Sequence, residues 1–93
     1  MFNEIDPNEI YTMEEIAPYV IERDNYLCQL CGKEGGEIHH IKYRSKGGKN
    51  RTKNLILLCN QHHYDEHSVR AMDEQFYYKK VEKNEKLFRE RLI

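Results

Sequence analysis

Residues 28–67 read CQLCGKEGGEIHHIKYRSKGGKNRTKNLILLCNQHHYDEH, and the spacing of their cysteines and histidines decides the fold. Cys28-x-x-Cys31 is one half of a tetrahedral zinc site, and Cys59-x-x-His62 is the other half. The chain has three cysteines, which cannot all pair with one another. A C-x-x-C spacing close to histidines favours a metal over a disulfide. Four donors complete a structural site. His39, His40, His63 and His67 are left over, and this surplus points to chemistry beyond a structural knot.

His62 and His63 are neighbours, so on a helix they point about 100° apart and do not serve one tetrahedron. His63 and His67 are four apart and share a helix face. His62 is therefore expected to turn toward the thiolates, while His63 and His67 turn toward a second centre. His39 and His40 fall in a short strand over residues 37–41, where neighbouring side chains point to opposite faces. Both reach a common site only if the strand ends or bends there, which the following loop permits. One of them can then bind a metal while the other handles a proton, roles that neutral imidazole fills near pH 7.

Outward from this core, residues 1–11 form an irregular leader. Thr12-Met13-Glu14-Glu15 is a capping box that opens a helix over residues 12–24, which Pro18 is expected to kink or restart. Residues 25–71 hold the core. Within it, Gly32 closes a tight knuckle that calls for a positive φ, and residues 46–50 (KGGKN) form a flexible loop. Residues 55–58 (LILL) form a second strand, antiparallel to the first. Asn60 is a plausible N-cap for a helix over roughly 61–71. Residues 72–93 make a charged amphipathic helix with Tyr77, Val81, Phe88 and Leu92 leaning to one side.

A chain of 93 residues with 39% hydrophobic content and no Trp buries a modest core, so a staple is expected. Zinc supplies one, contributing on the order of 10–16 kcal/mol of apparent free energy in small domains. No run approaches the ~20 apolar residues of a membrane span, and the acidic N-terminus is unlike a signal peptide. The expectation is one soluble, intracellular domain with no membrane partner. A net charge of −1 argues against attraction of the whole molecule to nucleic acid. The distribution says more. Residues 1–27 carry seven acidic side chains and one basic one, Arg23, whereas residues 42–53 carry six basic and no acidic ones. This positive loop lies between His40 and Asn54, where phosphate contact is expected.

The combination Arg23-Asp24-x3-Cys28-x2-Cys31-Gly32, His39-His40-Ile41, Gly47-Gly48, Asn54-Leu55, Leu58-Cys59 and His63-x3-His67 resembles the HNH endonucleases across about residues 20–70. The resemblance implies an α+β, ββα-metal fold, here zinc-stapled and flanked by helices. It also implies metal-dependent hydrolysis of phosphodiester bonds, leaving 5′ phosphates. By position, His39 and His63 match metal ligands and His40 the general base. Asn54 matches the residue that braces the loop carrying the base. His67 matches a third ligand or a phosphate contact, and Cys28, Cys31 and Cys59 match structural zinc ligands. The family usually has Cys where this chain has His62, but imidazole is a competent zinc ligand. The catalytic cation is expected to be Mg2+ or Mn2+, with Ni2+ or Zn2+ also accepted by imidazoles. Arg23, Arg44, Lys46, Lys49 and Arg51 are expected to contact the backbone of double-stranded DNA without reading sequence.

In size and layout the chain is similar to free-standing HNH proteins that phages encode beside DNA-packaging genes. A packaging partner and a cytoplasmic location, in a bacterium or a phage-infected host, follow as expectations. The competing reading is a non-catalytic zinc module for DNA or a protein partner, which leaves His39, His40, His63 and His67 idle. A different hydrolase is disfavoured, because His-Glu-x-x-His, Gly-x-Ser-x-Gly and a phosphate-cradling glycine loop are all missing from the sequence.

Overall fold

The computed structural model describes residues 4–69 and 73–92. Its elements run α1 (Met13–Arg23), β1 (Glu37–His40), β2 (Leu55–Leu58), α2 (Asn60–Val69) and α3 (Glu74–Leu92). Short 3-10 turns at Arg44–Lys46 and Thr52–Asn54 interrupt the β1–β2 connection. This is the expected α+β arrangement. The parts of the two helix expectations that fall on residues 70–72 and 93 lie outside the described residues. Among the described residues, no helix is long and apolar enough to cross a membrane.

β1 and β2 pair antiparallel, with His39 opposite Ile56 and His40 opposite Leu55. All four residues of β2 are buried, because both faces of the strand are covered. Strand alternation divides them. Leu55 joins Ile16, Tyr19, Val20 and Phe88 on one side. Ile56 and Leu58 join Cys28, Ile41, Tyr77 and Val81 on the other. The apolar LILL run is thus the central plank of two small cores, and His39 shares the face of Ile56.

α1 begins at the expected capping box. The Thr12 hydroxyl accepts from the Glu15 amide at 3.1 Å, and the Glu15 carboxylate accepts from the Thr12 amide at 2.9 Å. The helix runs unbroken through Pro18, so it does not restart there. Pro18 and Glu14, whose carbonyl loses its i+4 donor, are both exposed, so water can replace the missing bond. The helix ends in a Schellman motif, with the Tyr26 amide on the Ile21 carbonyl and the Asn25 amide on the Glu22 carbonyl. Residues 5–11 form neither helix nor strand, yet Ile5 and Tyr11 pack on the core and the Tyr11 amide donates to the Asn50 carbonyl at 3.0 Å.

Two other expectations shift. On α3 the buried row is Tyr77, Val81, Glu85 and Phe88, while Leu92 is 40% exposed. Asn60 is the first residue of α2 rather than its cap. Cys59 takes the capping place, its sulfur accepting from the His62 amide at 3.5 Å. A sulfur acceptor serves there because the first amides of a helix have no intrahelical partner.

The β1–β2 loop is drawn tight at Gly48, where an added Cβ would overlap the Lys42 carbonyl. Gly48→Ala must push two backbone segments apart. It is expected to cost about 1–3 kcal/mol, the usual range for overpacking. A thermal melt lowered by several degrees checks this, and an unchanged melt contradicts it.

Candidate metal centres

Cys28, Cys31, Cys59 and His62 bring their ligand atoms within 4.8 Å of one another. Two knuckles position them. In the first, the Gly32 amide returns to the Cys28 carbonyl at 2.9 Å, and Gly32 takes φ +77° as the turn requires. In the second, the start of α2 presents Cys59 and His62 one turn apart. The Cys31 and Cys59 sulfurs lie 3.8 Å apart, and His62 Nδ1 lies 3.6 Å from the Cys28 sulfur and 3.4 Å from the Cys59 sulfur. Zinc bonds of about 2.3 Å to sulfur and 2.0–2.1 Å to nitrogen give tetrahedral edges of about 3.8 and 3.6 Å. The residues therefore fit a metal such as zinc.

The electrostatics agree. Burial pushes the Cys28 thiol up, but the amides of Cys59, Cys31 and Leu30 outweigh it and hold its pKa below the usual thiol value. At Cys31 the Lys33 amide favours the thiolate. Desolvation and the crowding sulfurs of Cys28 and Cys59 win, and the pKa rises. Crowded sulfurs of this kind are the situation a cation relieves.

His39, His63 and His67 form a second group, with ligand nitrogens again within 4.8 Å of one another. β1 supplies His39, which is fully buried, and α2 supplies the other two from one face. The His39 ring lies 5.5 Å from each partner ring. The Nε2 atoms of His63 and His67 approach to 3.0 Å. Aromatic neighbours fix these rings. Tyr43 stacks on His67 at 5.3 Å and donates its hydroxyl to the Glu66 carbonyl, and Tyr77 lies 5.5 Å from His39. Desolvation, then the charge of His67, lowers the pKa of His63, with a smaller push from His40. A neutral imidazole is the form that binds a metal. Three convergent imidazoles fit a divalent transition ion.

His40 belongs to neither ligand group, yet it lies near enough to His63 for its charge to lower that imidazole's pKa. The Nε2 of His40 lies 2.7 Å from Asn50 Oδ1 and 3.2 Å from Arg44 Nε, so two groups on the following loop orient the ring. Asn54 braces that loop. Its Oδ1 accepts from the Lys42 amide at 2.8 Å, and its Nδ2 donates to the carbonyls of Lys42 and Lys49 at 3.1 and 3.0 Å. Asn50, Tyr43, Tyr77 and Glu66 were given no part in the site from sequence, where Tyr77 was placed only on the apolar side of its helix. Only their nearness to the histidines along the chain or along a helix face could have flagged the first two and the last.

Among the basic candidates, Arg44, Lys46 and Lys49 are exposed on the loop and Arg51 is half-buried. Arg23 requires a correction, because it is 3% exposed and out of reach of a DNA backbone. Its guanidinium pairs with Asp24 at 2.8 Å and donates to the Thr52 and Leu55 carbonyls at 2.7 and 2.6 Å. Glu85 on α3 lies 3.4 Å away. A buried guanidinium is stable only with such full pairing, and here it ties α1 to β2 and α3.

Comparison with known proteins agrees with this geometry: the family model for HNH endonucleases matches residues 28–68. No curated protein and no solved structure matches the chain.

Proposed function

We propose, from the match of residues 28–68 to the family model for HNH endonucleases, that the protein is a metal-dependent DNA endonuclease or nickase. The observation that carries this is the gathering of His39, His63 and His67 into a group separate from Cys28, Cys31, Cys59 and His62. A binding module stapled by zinc has no use for the second group.

In this reading Cys28, Cys31, Cys59 and His62 hold a structural zinc. His39, His63 and His67 would hold a divalent cation, which when bound would supply Lewis acidity toward a phosphodiester. His40 takes a proton from the attacking water as the new O–P bond forms. The P–O3′ bond breaks, leaving a 5′ phosphate and a 3′ hydroxyl that draws its proton from solvent. Asn54 keeps the loop closed around His40. Arg44, Lys46 and Lys49 provide sequence-independent contacts with the phosphate backbone, with Arg51 beside them, and so set the position of the duplex. The cation-binding side chains are all imidazoles, which suit Ni2+, Zn2+ or Mn2+ better than the oxygen-seeking Mg2+.

Incubation of supercoiled plasmid with the zinc-loaded protein tests the proposal. Nicked circles are expected with Mn2+ or Ni2+, more slowly with Mg2+, and none after a chelator until the cation is restored. A protein that keeps its zinc yet cuts with none of these ions is a binding module instead.

A further inference from the structure

In a neutral imidazole one nitrogen carries a proton and the other a lone pair, and the partner of the first fixes what the second can do. His40 Nε2 has two neighbours that ask opposite things of it. Asn50 Oδ1, at 2.7 Å, accepts and so needs a proton there. Arg44 Nε, at 3.2 Å, donates and so needs a lone pair. The neutral ring can satisfy only one of them at a time. The contact with Asn50 is the shorter, and Asn50 is the better anchored. Its main-chain carbonyl accepts from the Tyr11 amide at 3.0 Å, and Tyr11 belongs to the N-terminal segment that packs on the core. Arg44 is exposed, and its long side chain is costly to hold in one place. Asn54 bonds to the main chain of the loop and not to the ring. With the proton on Nε2, the lone pair lies on Nδ1.

We propose that Asn50 is the positioning residue of His40: it holds the ring proton on Nε2 against Arg44, and so makes Nδ1 the nitrogen that takes a proton from water. The proposal rests on reading His40 as the general base. The hold tightens as the reaction proceeds. Once Nδ1 is protonated the ring is a cation, and the Nε2–H···Oδ1 bond becomes charge-assisted and stronger. An interaction that strengthens toward the transition state raises the rate without tightening the binding of substrate. Arg44 loses the contest for Nε2, which leaves its guanidinium to the phosphate backbone. Because Tyr11 pins Asn50, the N-terminal segment, outside residues 28–68, takes part in setting the base.

The test reads the tautomer directly, by nitrogen NMR of the imidazoles in the zinc-loaded full chain, at a pH where they are neutral. His40 is assigned by its absence from the spectrum of His40→Ala. Wild type is expected to carry the proton on Nε2. Asn50→Ala leaves Nε2 facing the Arg44 donor, so the proton is expected on Nδ1 in most molecules. The bond from Tyr11 is to the main chain and survives the substitution. Asn50→Asp keeps an oxygen in place and is expected to keep the proton on Nε2. Single-turnover nicking by Asn50→Ala is expected to slow by roughly 10–100-fold, about what one charge-assisted hydrogen bond supplies. The plasmid concentration for half-maximal rate should not change. In a His40→Ala background the same substitution should slow nicking no further. A purely structural role would lower the melting temperature and slow both backgrounds alike without moving the proton. A proton on Nδ1 in wild type, or one still on Nε2 in Asn50→Ala, overturns the proposal. Should Asn50→Ala not fold, a proton on Nδ1 in Asn50→Asp overturns it equally. If the tautomers contradict the proposal while wild type nicks plasmid, only the role of Asn50 falls. If the tautomers are as expected but wild type nicks with no ion, the nuclease reading falls and the part of Asn50 in catalysis falls with it.

Discussion

His40→Ala is expected to slow plasmid nicking by about 10²–10⁴-fold, the usual contribution of a placed general base. Fold and zinc content should not change. His40 is half-buried at the end of β1, contributes to neither core cluster and belongs to neither ligand group. Truncating it removes contacts with Asn50 and Arg44, while the loop keeps the three hydrogen bonds made by Asn54. Stability and chemistry are therefore separable at this position. Single-turnover nicking rates, with thermal melts and metal analysis on the same samples, measure the effect. Cutting at the wild-type rate would show that another group takes the proton.

The second large effect is on folding. Stripping the proposed zinc with a strong chelator, or replacing Cys28 by Ser, is expected to unfold most of the chain. Small domains are stable by about 5–15 kcal/mol in total. A structural zinc site contributes on the order of 10–16 kcal/mol. Cys28 is 2% exposed and packs with Ile56, Leu58, Tyr77 and Val81, so its knuckle is continuous with the core. Cys59 caps α2. Loss of the centre therefore releases the knuckle, the start of α2 and one face of β2 together. Circular dichroism melts of the metal-free protein and of Cys28→Ser are the measurement. Curves that match the zinc-loaded wild type would rule out a structural role.

The central architecture was readable because it is encoded locally. The C-x-x-C and C-x-x-H pairs, the LILL run and the i, i+4 histidines each depend on a few adjacent residues, and the helical 100° step between His62 and His63 separated the two groups. What escaped the reading depends on distant partners. The charge of Arg23 suggested DNA, but its acceptors Thr52 and Leu55 lie about thirty residues further on, in a loop and a strand. Glu85 looked like one more acid on a charged helix, yet it accepts from Tyr19 at 3.0 Å in the interior. Asn60 had the chemistry of a cap, but a neighbouring sulfur filled the role. The leader carried no periodic signal, and its anchorage depends on a backbone bond from Tyr11 to Asn50, whose side chain meets His40.

His62 and His63 are joined by a single peptide bond, yet one faces the thiolates and the other faces His39 and His67. On the proposed reading the two centres form an interlock. If the first ion leaves, the opening turn of α2 loosens and His63 loses its bearing, whatever the supply of the second ion. A chain that emerges during zinc starvation is therefore silent toward DNA until it is armed, and the safety catch is released by the same event that completes folding.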